Sequence, residues 1–224
     1  WIEAHFPRSY LDANRDTTEV DVGLFDEDWP DPVAADPKVL SKVRLGKGLI
    51  WRITDDGVPI YERRLSVNEV LARIEGYWQP YHAAVAQAID AAHASHGYSI
   101  HVNCHSMPAE AGPSSWVKLG TQFADVVLGD RDGSTCAPAF TALLADAFRH
   151  EGLSVAINDP YKGVELVRRF GRPAENRHSI QIELNRKLYM VEATRERTAN
   201  YAVLKAALKR VMGKVADFAQ VANK

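Results

Sequence analysis

The chain has two cysteines in 224 residues, Cys104 and Cys136. That is too few for a disulfide framework and fits a reducing cytoplasm. No apolar run approaches the roughly 20 residues of a membrane helix, and no signal-peptide pattern marks the visible start. Charge of one sign is also lacking: 27 Lys and Arg face 29 Asp and Glu, for a net charge of -2. This gives no electrostatic reason to expect nucleic acid or an anionic membrane, and no basic stripe with stacking aromatics is present. HExxH, paired CxxC, GxxxxGK and GxSxG are all missing. The glycine-bearing segments LGKG (45–48) and LGDRDG (128–133) are too short to suggest nucleotide binding. There is no internal repeat, low-complexity segment or linker. The remainder, 46% hydrophobic and 25% charged, is ordinary for a globular protein and long enough for one good-sized core.

The pattern of elements predicts a single α/β domain over 1–224. Tyr98-Ser99-Ile100-His101-Val102 reads as a strand that breaks at the polar run Asn103 to Ser106. Met107-Pro108 stops further pairing, because proline has no N–H to donate. Further strands are expected at Phe123–Gly129, Ser154–Asn158 and Ser179–Leu184, and a short one at Leu49–Ile53 before a turn at Asp56-Gly57. Ser66 to His96 carries the clearest helical signal. It has a capping-box pair, Ser66 and Glu69, and a stripe of Val70, Leu71, Ile74, Tyr77 and Trp78. Pro80 starts or kinks a second segment with the stripe Ala84, Val85, Ala88, Ile89 and Ala92, and Gly97 is the stop. Amphipathic helices are also expected at Ala137–Glu151 and Thr198–Val221. Alternating strands and helices predict a three-layer α/β/α sandwich with a mixed, mostly parallel sheet. The chain opens abruptly at Trp1, and an amino-terminal segment is expected to be missing from it.

In α/β proteins, ligands collect where parallel strands end. Four strand ends carry unlike polar groups: His105, Asp130/Arg131, Asn158/Asp159 and Glu183. Neutral imidazole is the commonest metal ligand, which makes His105 the candidate ligand of a catalytic zinc. His101 and His178 compete for that role or are structural. Cys104 is either a reactive thiol or a small buried residue. Glu183 interrupts the apolar run Ile180, Ile182, Leu184, where a charge is costly unless paired or working. It is either a general base beside a metal-bound water or a buried partner of Arg186 or Arg177. Near the start, Arg8 and Arg15 bracket Asp12 and Asn14. Their planar forks either grip a ligand carboxylate or form a structural ion pair with Asp12. The aromatic cluster Tyr77, Trp78, Tyr81 and His82 reads as helix packing.

Taken together, SYLDANR (9–15), YWQPYHAAV (77–85), HVNCHSMP (101–108), GDRDGSTC (129–136), NDPYKGVELVRRFGRP (158–173) and HSIQIELNRKLYM (178–190) resemble the N-formylglutamate amidohydrolase family, in the family's order. The resemblance implies a fold similar to the zinc carboxypeptidases and one zinc ion per chain. It implies hydrolysis of N-formyl-L-glutamate to formate and glutamate, the end of one route of histidine degradation. By the matching segments His105 is a zinc ligand, Glu183 the general base, Asn14 and Arg15 the carboxylate anchor, and Arg8 and Arg186 helpers. The family's first zinc ligands come from an early His-Ser-Gly-type segment and a following acid, which no part of this sequence matches. The expected partner is a small N-acyl amino acid, with no nucleic acid or membrane, and the expected form a monomer or small homo-oligomer. A small-peptide carboxypeptidase or amidase on the same scaffold, or a non-catalytic member with an incomplete metal site, are the alternatives.

Overall fold

The computed structural model describes residues 1–224 apart from 55, 56, 113, 114, 116 and 222–224. Two compact units emerge, Trp1–Ala88 and Ile89–Lys224, and each is taken by itself.

The first unit is largely irregular. Its regular parts are a 3-10 turn at Val22–Leu24, α1 (Leu40–Arg44), α2 (Val67–Arg73) and the start of α3 (Gln79–His96). Its core gathers Leu11, Phe25, Leu49, Ile50, Leu65, Val70, Ile74 and Trp78. Ser66 caps α2 as expected, its Oγ accepting from the Glu69 N–H at 3.2 Å. Glu69 does not complete the box, because its carboxylate binds Arg63 and Arg73 instead. Between α2 and α3 the turn widens to a π-helical stretch, Ile74–Trp78. It lies just before Pro80, which has no N–H for the regular ladder. On α3, Val85 and Ile89 are buried as expected, but Ala84 and Ala88 are exposed and His82 takes the inward place. Gly97, at φ +71°, ends the helix, donating to the His93 carbonyl at 2.8 Å.

The strand expected at Leu49–Ile53 does not form; only single bridges, Lys47 with Trp51 and Ile53 with Pro59, occur there. The reason is local. Leu49 donates to the Glu19 carbonyl and accepts from the Asp12 N–H, so its backbone is spent on the 12–19 loop rather than on a ladder. In the expected turn at 56–57, Asp56 lies outside the described residues, and Gly57 has φ +80°.

The second unit is built on a four-stranded sheet in the order β1-β4-β2-β3. β1 (Ser99–Met107) and β4 (Arg177–Asn185) are parallel, β4 and β2 (Val126–Gly129) antiparallel, and β2 and β3 (Val155–Ile157) parallel. This is the mixed, mostly parallel sheet expected. One boundary differs: β1 does not break at Asn103 but continues through the polar run to Met107. Within it Asn103 and His105 alternate with Val102, Cys104 and Ser106, so the run divides between the two faces of a strand rather than forming a loop. The β2 ladder is shorter than expected, starting at Val126 rather than Phe123.

The two sheet faces differ in chemistry. Val126, Leu128, Ile180 and Ile182 pack with Phe140, Leu144 and Phe148 of α4 (Pro138–His150) and with Val211 and Val215 of α6 (Asn200–Val221). The other face presents His101, Asn103 and His105 of β1 beside Ser179, Gln181 and Glu183 of β4. The Lys162-Gly163 turn and α5 (Glu165–Phe170) lie against it, with the Phe170 ring edge-on to His101 at 6.1 Å.

That turn presses directly on the sheet. A Cβ at Gly129 would lie 2.6 Å from the Gly163 nitrogen and 2.7 Å from the Lys162 carbonyl carbon, both backbone atoms. Gly129→Ala must therefore shift the turn. It is expected to destabilise the chain by about 1–3 kcal/mol, the usual cost of overpacking, read as a lower denaturant midpoint at unchanged slope. Unchanged stability would mean the turn is not held against the sheet.

Candidate functional site

The pairing of β1 with β4 decides where the chemistry lies. In register, His101 stands opposite Ser179, Asn103 opposite Gln181 and His105 opposite Glu183. Neighbouring strands lie about 4.8 Å apart, and paired residues project to the same side. His105 and Glu183, distant in sequence, therefore leave the sheet side by side. On the β2 side, Glu183 is opposite Val127, which is fully buried with Met107, Phe123 and Ala156 in an apolar cluster. Glu183 is only 8% exposed. Its Oε1 accepts from Gln181 Nε2 at 2.8 Å. Arg177 and Arg186, the alternative partners, have carboxylates of their own: Arg177 reaches Asp90 at 2.5 Å and Arg186 reaches Glu192 at 3.6 Å.

The competing histidines lie well down their strands from His105 and Glu183. His101 is four residues below His105 on the same strand, roughly 13 Å away, and two ligands of one zinc must each come within about 2.1 Å of it. Its Nδ1 is 2.7 Å from Ser179 Oγ, and burial lowers its pKa to about 4, so it is neutral at physiological pH. His178 is five residues below Glu183, roughly 16 Å away. Its Nδ1 accepts from the Ala137 N–H at 3.3 Å, just ahead of α4. Cys104 points to the face opposite His105, and burial raises both thiols, Cys136 to about 12. Neither is a ready thiolate at neutral pH.

Two of the four polar strand ends lie elsewhere. Because β2 runs antiparallel to β4, Gly129 pairs with Gln181 and Val126 with Leu184. Asp130/Arg131 and Asn158/Asp159 thus follow β2 and β3 in the direction away from the Glu183 end of β4, level with its middle residues. Asp130 is a turn organiser there, accepting from Gly133 N at 2.9 Å, Thr141 Oγ1 at 2.8 Å and Asn158 Nδ2 at 2.7 Å. The sequence shows polar strand ends but not strand direction.

A catalytic zinc keeps three protein ligands. Among the described residues, no three His, Cys, Asp or Glu side chains gather in a way that could hold a metal ion. His105 is a suitable donor, but the described residues do not complete a zinc set around it.

In the first unit the arginine-bracketed segment folds around Asp12, which is fully buried. Arg8 clasps it bidentately, Nε to Oδ1 at 3.0 Å and Nη2 to Oδ2 at 2.7 Å. The Asn14 N–H donates to Oδ1 at 3.0 Å and Trp51 Nε1 to Oδ2 at 3.3 Å. Burial pushes the Asp12 carboxyl up; Arg8, Arg15 and the hydrogen bonds from Arg8 and Asn14 outweigh it and hold it below the ordinary carboxylate range. For Arg8, the ion pair is what the structure shows. Arg15 donates through Nε to the Lys47 carbonyl at 3.2 Å. Asn14 and Arg15 are 4% and 5% exposed.

Two helix residues fix this loop in a way the helical stripe did not signal. Trp78 Nε1 donates to the Arg15 carbonyl at 2.9 Å, and His82 Nε2 is 2.8 Å from the Ala13 carbonyl. Their rings stack at 3.7 Å. A separate cleft of about 480 Å³, lined by Phe25, Trp29 and Arg64 among others, contains none of the candidate site residues.

Fold and site define the class: an α/β protein whose two parallel strands set an imidazole and a carboxylate side by side near their carboxyl ends. The sequence pattern of the N-formylglutamate amidohydrolase family matches residues 1–190. The chain belongs to that family. It is 31% identical over 140 residues to the N-formylglutamate deformylase of Pseudomonas aeruginosa, covering 61% of this chain and 51% of that protein. The Pseudomonas putida enzyme of the same name is 29% identical over 140 residues, with the same coverage. The chain thus matches about half the length of these curated relatives. The crystal structure of an N-formylglutamate amidohydrolase from Ralstonia eutropha superposes with a TM-score of 0.89 at 44% identity, covering 97% of this chain and 76% of that one. An Agrobacterium tumefaciens protein at 15% identity shares the fold, with a TM-score of 0.57, over 93% of this chain and 67% of that one. Among the described residues, no helix is long and apolar enough to cross a membrane.

The half-buried, neutral His101 carries a pH consequence. Its folded pKa of about 4 lies below the ordinary value near 6.5, so the unfolded chain binds the extra proton between these limits. Stability is expected to fall as pH drops from about 6.5 to about 4. His101→Gln should flatten that part of a stability-versus-pH curve measured by denaturant titration. An unchanged slope would show that His101 is not the group being titrated.

Proposed function

We propose that the chain is an amide hydrolase that removes the formyl group from N-formyl-L-glutamate or a closely related N-acyl amino acid. One observation carries the reading: the β1–β4 register that puts His105 beside Glu183. The names of the Pseudomonas and Ralstonia proteins support the substrate class.

Glu183, as carboxylate, accepts a proton from a water held between itself and the substrate. The resulting hydroxide adds to the formyl carbonyl carbon. Glu183 then returns the proton to the leaving nitrogen as the C–N bond breaks, giving formate and a free amino group. The apolar wall around Val127 limits competing water and strengthens electrostatic interactions at the carboxylate. Asn14 and Arg15 are assigned to a substrate carboxylate and Arg186 is a further cation for it, all by resemblance. Zinc, also implied by resemblance, would lower the pKa of the attacking water. His105 is the residue assigned to hold it. The described residues do not complete its ligand set, so no step is routed through the ion.

That incomplete set favours a second reading, a family chain that does not turn over by itself. Metal analysis after dialysis separates the two. About one retained zinc per chain, lost in His105→Ala and accompanied by formate release, supports the hydrolase. Well under one, with no release, supports the non-catalytic reading.

Glu183→Gln is expected to cut turnover by about 10²- to 10⁴-fold, the range for a lost general acid–base group, while leaving metal content unchanged. Near-normal formate release would remove Glu183 as the base. In a panel of N-formyl, N-acetyl and dipeptide substrates, N-formyl-glutamate should give the highest kcat/KM. A preference for dipeptides would instead mark a small-peptide hydrolase.

A further inference from the structure

Gln181 is 3% exposed, at the middle of the polar face of the sheet. A buried side-chain amide is costly unless its donors and acceptor are used. Two of its hydrogen bonds run along this face. Asn103 Nδ2 donates to Gln181 Oε1 at 3.4 Å. That turns the Gln181 amino group up the strand, where it donates to Glu183 Oε1 at 2.8 Å. The three residues are 7%, 3% and 8% exposed, so bulk water competes weakly for these bonds. Residues two apart on a strand share a face, so Gln181 lies directly beneath Glu183 while Asn103 lies directly beneath His105. The glycine turn covers the base of this group: a Cβ at Gly163 would lie 3.6 Å from Gln181 Cβ.

A glutamate carboxylate has three rotatable bonds and two equivalent oxygens. Pinning one oxygen from a residue on the same rigid strand restricts rotation of the group and fixes its plane. We propose that Gln181 is a positioning residue for the reaction: its amide, oriented by Asn103, aims the Glu183 carboxylate at the attacking water. This rests on the reading of Glu183 as general base. Gln181 and Asn103 touch no reacting atom in this scheme; they act through Glu183.

The test uses formate release by the full chain and compares Gln181→Leu and Asn103→Ala with Glu183→Gln and the Gln181→Leu/Glu183→Gln double variant. Gln181→Leu should lower kcat by about 10- to 100-fold, the scale of one hydrogen bond to a charged group, with KM within about twofold. Asn103→Ala should act in the same direction and less. On the Glu183→Gln background, Gln181→Leu should add less than about twofold, because residues acting as a unit are non-additive. A purely structural role predicts instead that the two losses multiply. Multiplying losses, or a Gln181→Leu kcat within twofold of the unsubstituted chain while Glu183→Gln is crippled, overturn the positioning role alone. Near-normal turnover in Glu183→Gln overturns the base reading beneath it, whatever Gln181 does. Should Gln181→Leu fail to fold, Gln181→Met and Asn103→Ala carry the same comparison.

Discussion

The parallel pairing of β1 with β4 is the constraint on which the second unit depends. Side chains on a strand alternate with a period of two, so slipping the register by one residue turns every side chain to the other face. The register is fixed from both sides. Ile180 and Ile182 must enter the apolar layer with α4 and α6. His101 must meet Ser179, and Asn103 must meet Gln181, on the polar layer. Once those are satisfied, His105 has no position available except beside Glu183.

A sheet with one apolar and one polar buried face is costly to make. Glu183, Gln181, Asn103 and Ser179 are all nearly inaccessible, and each needs a hydrogen-bond partner to offset desolvation. The molecule meets this with ladders of side-chain bonds along and across the two strands. The Gly129–Gly163 approach lets a backbone turn lie flush over them. The first unit solves a related problem differently. Its irregular chain is organised by one buried carboxylate, Asp12, whose oxygens draw in Arg8, Asn14 and Trp51. Trp78 and His82 fasten the carbonyls on either side of Asn14.

Much of this was legible in the sequence, for identifiable reasons. All four strands and the long helices showed in their periodicity, and Glu183 stood out because a charge interrupted an apolar alternation. His105 was legible as a polar residue at a strand's end, though the end itself was placed too early. The run Asn103 to Ser106 read as a loop because polarity alone cannot distinguish a loop from a strand whose polar side is roofed by α5. Strand direction was not legible at all, and so the polar groups after β2 and β3 looked equivalent to those of β1 and β4. The ring contacts of Trp78 and His82 with a distant loop left no periodic trace beyond that of ordinary helix packing. Arg8 and Asp12, four apart, were compatible with either an ion pair or a ligand grip, and the bidentate pair is seen only once the guanidinium fork is placed.

The most direct test of the central claim is the separation of the His105 imidazole and the Glu183 carboxylate in a crystal structure of this chain. The predicted result is two side chains on the same sheet face, near enough for one water to bridge them, which at about 2.8 Å per hydrogen bond means no more than roughly 6 Å. A slipped β1–β4 register that sends the two groups to opposite faces would contradict it.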